Sequence, residues 1–369
     1  SDADVRFIKT LPPIRNGSGY ATIEGQSYTM VLDAGQITPP KGGSIDMAGS
    51  VFSVLDILQK PAQAEIRLKT KSTLTAALSL LDEKPFNFLT KAGRPVELGE
   101  GRAEVSAVLR LPLVKKVLPQ DVSYRVEGVL QDVRSNVLVP GRVLTAAQLS
   151  LLATPAGLEI SGPGAIGAVP FEAIYRLPFG KAAQGRSEVS GTVELSPRTI
   201  DEFRIALPKG AVKGAGKGQF TLDLPKGAPA VLTLTSDLSG LELAVPQILW
   251  RKGAGTRGTL DLTARLGKPV AVERLRLAAP GLTAEGRVTL REDGQLERIS
   301  LTRAEVADWF KGPIDLIGRG KGRAVGLEVR GGTLDLRRLP DAMGGATTEA
   351  EDDGPITARL DRVQITESI

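Results

Sequence analysis

Short runs of alternating apolar and polar residues recur along the whole chain, about every ten residues, and most of them end at Gly, Asp or Pro. Residues 122–126, 232–234 and 260–262 are examples. An alternation with a period of two places apolar side chains on one face of a strand and polar side chains on the other. The pattern therefore predicts a mostly β chain whose strands are mostly antiparallel.

A few segments interrupt this alternation with apolar residues at helical spacing. Thr302 and Glu305, for example, have the spacing of a capping box at the start of a helix. The short helices predicted in this way lie near 50–59, 74–91, 111–118 and 302–310.

Two successive stretches of this β pattern are predicted, 1–180 and 181–369. The Gly- and Pro-containing segment 178–186 lies between them and is a candidate for the separation of two lobes. Residues 341–354 are rich in Gly, Ala, Thr and acidic side chains, which predicts a mobile loop.

The composition excludes much of enzyme chemistry. The 369 residues include no Cys and no His, so disulfides, thiolate nucleophiles, Cys/His zinc sites and imidazole bases are absent. This counts against catalysis without excluding a mechanism based on carboxylates or Lys. The net charge of +5 is dispersed, whereas nucleic-acid binders gather basic residues with stacking aromatics. We therefore predict a protein that is not an enzyme, with no catalytic residue, no metal and no cofactor, and no nucleic acid as partner.

An apolar sheet face has to be covered, and the sequence indicates how. A second sheet or closure into a barrel normally fills the interior with large side chains, but aromatics are only 4% of this chain. We therefore predict a long twisted antiparallel sheet curled into an open hydrophobic groove (β-taco-like), covered by lipid acyl chains. An ordinary sandwich core is the alternative for the same positions. The predicted groove-lining residues are Val122, Tyr124, Val126, Leu232, Leu234, Leu241, Leu243, Leu260, Leu262, Leu275, Leu277, Val288 and Leu290.

Three aromatic residues are candidates for the rim or the gate of this groove. Trp250 follows Leu249 and precedes two basic residues, which suits an amphipathic side chain at the rim or one that touches lipid headgroups. Trp309 and Phe310 end the helix predicted near 302–310 and would plug or gate the groove.

Several strand-and-turn motifs resemble one known family. The run LTSDLSGLELAVPQILWRK at 234–252 carries most of the likeness, and similar motifs stand at 286–290 and 329–337. Upstream, 19–25, 32–35, 128–133 and 158–164 repeat the same idiom. In these motifs the chain resembles the AsmA-like envelope proteins, in their large YhdP-type branch.

The resemblance implies a bridge-like lipid-transfer protein of the periplasm. On this interpretation the full-length protein is anchored in the inner membrane by an N-terminal helix that this chain lacks. It carries phospholipid toward the outer membrane, where an outer-membrane or periplasmic protein would be its partner. Two alternatives stay open: a structural or scaffold β-rod without lipid cargo, and a polysaccharide-acting β enzyme, which would need paired carboxylates in an aromatic-lined cleft.

Overall fold

The computed structural model describes residues 3–5, 10–180, 183, 185–205, 207, 210–320, 323–340 and 354–365. This part of the chain is mostly β with a few short helices, as the alternation predicts. The chain divides into two compact units, Ser1–Gly185 and Arg186–Ile369. No helix within the described ranges has the length and apolar composition that crossing a lipid bilayer requires.

The first unit is an antiparallel sheet with helices at one edge. Strand β3 pairs with β2, β4 and β5, strand β6 pairs with β4 and β5, and the ladder continues in chain order from β6 to β11. Strand β1 extends it beside β2. The strands are β1 (Ala3–Val5), β2 (Ile14–Glu24), β3 (Ser27–Ile37), β4 (Ile45–Asp46), β5 (Ser50–Val54), β6 (Gln63–Thr73), β7 (Glu100–Pro112), β8 (Ser123–Ser135), β9 (Leu144–Thr154), β10 (Gly157–Ile166) and β11 (Val169–Pro178).

Two helices follow β6, and the first of them covers one end of the apolar face of the first unit. Helix α1 (Leu74–Leu81) begins at Thr73, whose hydroxyl accepts a hydrogen bond from the Ala76 amide at 3.0 Å. Ala76 is fully buried in a cluster with Ile14 and Met47. Helix α2 (Phe88–Lys91) follows after Pro85, so the helical pattern predicted near 74–91 forms two helices around that proline.

The second unit is also a ladder, antiparallel except at one edge. Strands β12, β14, β15 and β18 to β22 pair in that order, and β22 then pairs with β23 and β24. Strand β25 pairs in parallel with β23, and β26 pairs in parallel with β24. The predicted sheet was antiparallel and did not include these two parallel pairs. The ladder strands are β12 (Ser187–Leu195), β14 (Gly216–Leu224), β15 (Val231–Ser236), β18 (Thr259–Arg265), β19 (Ala271–Ala279), β20 (Leu282–Leu290), β21 (Leu296–Val306), β22 (Phe310–Ile317), β23 (Gly326–Arg330), β24 (Thr333–Asp335), β25 (Ile356–Arg359) and β26 (Arg362–Gln364).

A separate three-stranded sheet interrupts this second ladder, and we call it the cap sheet. It consists of β13 (Val212–Gly214), β16 (Leu241–Val245) and β17 (Trp250–Lys252), all antiparallel. Helix α3 (Pro197–Phe203) lies between β12 and β13 in the chain.

Three of the predicted helices are wrong. The segment near 50–59 contains strand β5, because its apolar residues pair with those of β3 and β6, and a turn follows. The segment near 111–118 is the end of β7 followed by a loop, and Pro119 disfavours helical geometry at Leu118, the residue before it.

The segment near 302–310 is the third error. It contains the end of β21, a turn and the start of β22. Thr302 donates its hydroxyl to the Glu285 carbonyl of the neighbouring strand at 3.2 Å, and Glu305 pairs with Lys311 at 2.8 Å. The spacing of a capping box therefore arises here from two polar positions of a strand. The loop predicted at 341–354 lies, up to residue 353, outside the described residues, and its mobility stays a prediction.

One ion pair at the end of β12 gives the second unit a pH dependence that can be measured. Arg198 donates Nε to Glu194 Oε1 at 2.6 Å, and this bond, with one from Ser196, lowers the pKa of Glu194 from 4.5 to about 2. The pair therefore stabilises the fold above about pH 4.5, and this stabilisation is lost as the pH falls toward about pH 2.

We expect Glu194→Gln to reduce the loss of unfolding free energy between about pH 5 and about pH 2 by about 1 kcal/mol, because the half-exposed Arg198 is screened by water. Urea unfolding at both pH values measures the difference. Equal acid sensitivity of the variant and the parent chain would refute this assignment.

Candidate functional site

The strand register of the second unit aligns aliphatic side chains into rows on one face of the sheet. Residues directly opposite each other in paired strands share a face, so a series of such partners forms a row across the strands. One series, which we call the distal row, crosses ten strands without a polar residue. Its members are Val189, Leu222, Leu232, Ala264, Val272, Val288, Ile299, Leu316, Leu327 and Ile356.

A second series lies two residues along each strand, or three on β19 where the register shifts between Val272 and Leu275, and we call it the proximal row because it is nearer to the cap sheet. Gly286 interrupts it, where an added Cβ would lie 2.1 Å from the Ser300 carbonyl oxygen, so only glycine fits this close approach of β20 and β21. The members of the proximal row are Phe220, Leu234, Leu262, Leu275, Gly286, Leu301, Ile314 and Val329.

The opposite face of the same ladder is charged. Arg274 pairs with Asp261 at 3.0 Å, and Glu305 pairs with both Arg303 and Lys311, at 3.1 and 2.8 Å. An open concavity of about 700 Å³ on this face is lined by five arginines and three carboxylates. The buried Asp315 lies in it. The two faces therefore differ sharply in chemistry, and only one of them suits an apolar ligand.

Asp315 holds two arginines of the charged concavity. Its Oδ2 accepts from Arg298 at 2.8 Å and its Oδ1 from Arg330 at 3.0 Å, while both arginine side chains stay about half exposed. This buried carboxylate is thus neutralised by its own neighbours, which is the usual condition for a charge inside a protein. The signal for it in the sequence is weak, because the three residues lie on three different strands.

The cap sheet covers one side of the apolar face. Trp250 is 6% exposed and packs in a cluster with Leu282, Val306 and Phe310, while its indole Nε1 donates to the Pro280 carbonyl at 2.8 Å. The partly buried residues around this cluster include the proximal-row members Leu301 and Ile314, together with Leu277.

Lys252 fixes the loops of the cap sheet from inside. Its ammonium group donates to three carbonyl oxygens, those of Leu238 at 2.8 Å, Leu241 at 2.9 Å and Gly253 at 3.1 Å. Burial of the side chain lowers the pKa of Lys252 below its usual value. The carboxylates of the described residues form no ion pair with Lys252, so the lysine acts as a structural cross-link between turns.

Most of the predicted lining residues of the second unit lie on this apolar face. Leu232 and Val288 belong to the distal row, and Leu234, Leu262 and Leu275 belong to the proximal row; all five are half-buried. Leu260, Leu277 and Leu290 follow the same alternation and are also half-buried. Among these eight described residues, only Leu277 packs against the buried cluster around Trp250.

Leu241 and Leu243 are placed differently from the prediction. They belong to β16 of the cap sheet, where Leu241 is buried and Leu243 packs against the Trp250 cluster. Their local alternation is the same as that of a ladder strand. The difference comes from pairing with β13, about thirty residues upstream, which local pattern cannot reveal.

The three aromatic residues proposed for a rim or gate are core residues of the cap region. Trp250 has its N–H bonded to a backbone carbonyl, so neither its ring nor its polar atom is free to touch headgroups. Trp309 lies in the turn before β22 and Phe310 starts that strand, and both are buried in the same cluster. The three residues are therefore brought together, but below the surface of the cap.

The strand register of the first unit also aligns apolar side chains into a row on one face of its sheet. Tyr124 and Val126 alternate along β8 and lie opposite Leu109 and Ala107 of β7, while Val122 precedes the strand; all three predicted residues are half-buried. A row that includes Tyr124 crosses five strands, through Met30, Phe52, Ile66, Leu109 and Tyr124.

Comparison with protein-family models, curated proteins and solved structures finds no match for this chain. In the described ranges, no group of three or more acidic side chains is placed to hold a metal ion. The feature that remains to be explained by function is the half-exposed aliphatic face.

Proposed function

We propose that this chain is a non-enzymatic segment of a lipid-transfer protein that holds phospholipid acyl chains along the apolar face of its sheet. The distal row carries this proposal. Ten aliphatic or Ala positions follow one another across ten strands, which at about 4.8 Å per strand makes a stripe roughly 43 Å long. Its members Leu222, Leu232, Val272, Val288 and Ile299 are half-buried, whereas the small Ala264 between them is buried.

The energetics favour an apolar ligand that slides. Each acyl CH₂ group removed from water contributes about 0.8 kcal/mol, and the contribution is non-directional. A stripe of similar aliphatic side chains offers nearly equal binding at successive positions, so an acyl chain can move along it without a deep trap. The headgroup would stay in water at the side of the face away from the cap sheet. No residue performs a chemical step in this mechanism.

The resemblance to the AsmA-like envelope proteins supports the same function and supplies its setting. On that basis we propose the periplasm as the location, the inner membrane as the donor of phospholipid and the outer membrane as its destination. The alternative is a structural β-rod in envelope biogenesis without lipid cargo. The packing of the cap sheet on part of the apolar face favours this alternative, since protein covers that part already.

Substitution within the distal row tests the proposal. We expect the triple variant Leu232→Ser, Val288→Ser, Ile299→Ser to bind a fluorescent phospholipid at least about tenfold more weakly, because each half-buried side chain contributes on the order of 1 kcal/mol to burial of an acyl chain. The measurement is a fluorescence titration in detergent-free buffer.

The control variant carries Thr233→Ser, Arg287→Ser and Thr302→Ser, which lie on the same three strands but on the polar face. It should bind like the parent chain, and circular dichroism should show the same strand content for all three proteins. Equal affinity of the two triple variants would count against an apolar binding face, and a parent chain that binds no phospholipid would favour the β-rod.

A further inference from the structure

Three connections of the first unit meet at one end of its strands, and we call them, with the adjoining strand residue Ile23, the tip. They are the β2–β3 turn at 25–26, the β5–β6 loop at 55–62 and the β7–β8 loop at 113–122. Hydrogen bonds join them, since the Ile57 amide donates to the Gln26 carbonyl at 2.9 Å and the Leu113 amide donates to the Ala62 carbonyl at 2.8 Å. The tip is thus one continuous surface.

Aliphatic side chains of the tip point into water. Leu55 is 77% exposed, Ile23 68% and Leu58 64%. Seven large aliphatic residues of the tip are exposed, and a concentration of this kind on a water-soluble surface marks a site of interaction. The exposed residues are Ile23, Leu55, Ile57, Leu58, Leu113, Val114 and Leu118.

Carboxylates at the base of the loops hold these side chains outward. Asp56 accepts hydrogen bonds from the amides of Leu58 at 2.8 Å and Gln59 at 3.2 Å. Asp121 accepts one from the Leu118 amide at 2.9 Å. Such side-chain-to-backbone bonds fix a turn locally. The exposure of the leucines is therefore built into the loops.

Lysines stand among the exposed aliphatic residues. Lys60, Lys115 and Lys116 are exposed, and the described residues form no ion pair with any of them. The carboxylates of Asp56 and Asp121 are turned back to the backbone, which leaves the lysines as the outward charges of the two longer loops. When leucines insert into a lipid bilayer, long cationic side chains beside them place their ammonium groups at the level of the lipid phosphates.

The tip is also continuous with the apolar face of the first unit. An open concavity of about 420 Å³ lies between the loops and is lined mostly by apolar residues, among them Phe52, Val54, Ile57 and Leu113, together with Lys60. Phe52 also lies in the apolar row that includes Tyr124, so this concavity adjoins the apolar face of the first unit.

We propose that the tip is a contact surface for the lipid bilayer, which inserts its leucines into the headgroup and acyl boundary and places its lysines against lipid phosphates. This adds a partner, the membrane surface itself, that binding of single acyl chains does not require. The leucines supply most of the affinity, since apolar burial dominates insertion, and the lysines give a moderate preference for anionic lipid.

Co-sedimentation of the whole chain with vesicles tests this surface. We use vesicles of phosphatidylcholine alone and of phosphatidylcholine mixed with phosphatidylglycerol. The variant Leu55→Ser, Leu58→Ser, Val114→Ser should lower the partition into both kinds of vesicle by about tenfold, because three inserted side chains are lost. The variant Lys60→Gln, Lys115→Gln, Lys116→Gln should lose chiefly the preference for the anionic vesicles.

The matched control is Val137→Ser, Leu138→Ser. These are two exposed aliphatic residues in the β8–β9 connection, at the opposite end of the strands from the tip. It should partition like the parent chain, and all substitutions fall on exposed positions, so circular dichroism should show unchanged folding. The triple variant of the distal row should also reach the vesicles normally, which separates failure of this surface from failure of the lipid-binding face.

Three results would overturn the proposal. The first is a parent chain that stays in the supernatant with both kinds of vesicle, and the second is a leucine variant that sediments as well as the parent. The third is a parent chain that dimerises in solution and becomes monomeric when Leu55 and Leu58 are replaced, which would make the tip an interface between two copies.

Discussion

Replacement of Trp250 by alanine is expected to lower the free energy of unfolding by about 3–5 kcal/mol. The side chain is 6% exposed, it joins the cap sheet to Leu282, Val306 and Phe310 of the ladder, and its N–H bonds the Pro280 carbonyl at 2.8 Å. Its removal leaves a cavity in the buried cluster and an unpaired carbonyl. Urea unfolding followed by circular dichroism measures the change.

Trp250→Phe is the matched variant for the same site. It keeps most of the ring volume and loses the hydrogen bond to Pro280, so we expect about 1–2 kcal/mol of destabilisation. A loss below about 1 kcal/mol for the alanine variant would mean that the cap sheet does not depend on this residue for its packing on the ladder.

Replacement of Lys252 by methionine is the second large effect expected, about 2–4 kcal/mol. Methionine keeps the length and apolar stem of lysine but removes the ammonium group, which leaves the carbonyls of Leu238, Leu241 and Gly253 without that donor. The carbonyls of Leu238 and Gly253 keep hydrogen bonds from the backbone amides of Leu241, at 3.4 Å, and Thr256, at 3.1 Å. The expected loss is therefore that of three charge-assisted hydrogen bonds, and the loops of the cap sheet should loosen. The same urea unfolding experiment measures the effect.

Lys213→Met is the control, because Lys213 lies on β13 of the same sheet and is exposed. We expect a change within about 0.5 kcal/mol there. If Lys252→Met is equally neutral, the three carbonyls find water instead, and the lysine is not the cross-link of the cap sheet.

The alternation of apolar and polar residues predicted the mostly β fold, and the runs at 232–234 and 260–262 lie in the ladder strands β15 and β18. Successive residues of a strand point to opposite faces of the sheet. Leu232, Leu262 and Leu275 therefore lie on the apolar face, because the polar residues next to them in the sequence point to the opposite one. Threonines and charged residues between them form the polar face. The face on which a strand residue lies depends on its near neighbours in the sequence, so one sequence is enough to predict it.

The errors share a physical cause, which is that short segments carry too little information about distant partners. Leu241 and Leu243 alternate like ladder residues, yet the close approach of Gly214 and Gly240 sets β16 beside β13 instead. An added Cβ on Gly214 would lie 2.3 Å from the Gly240 carbonyl oxygen. The sequence shows these glycines but not that they meet.

The false helix near 302–310 illustrates the reverse case. Ala304 and Val306 are buried on the apolar face, and Glu305 between them pairs with Lys311 on the polar face. A sequence of so few residues can fit both the spacing of a helix and the alternation of a strand. The arginine pair on Asp315 was missed for a related reason, because its three members come together only when three strands align.

Native mass spectrometry with lipid extraction measures directly whether the apolar face carries lipid. The chain would be produced in a bacterium and purified without detergent. We predict that phospholipid copurifies with the folded protein and is lost from the distal-row variant Leu232→Ser, Val288→Ser, Ile299→Ser. A well-folded, monodisperse parent chain that is free of lipid would contradict a lipid-binding face and leave the β-rod as the better description.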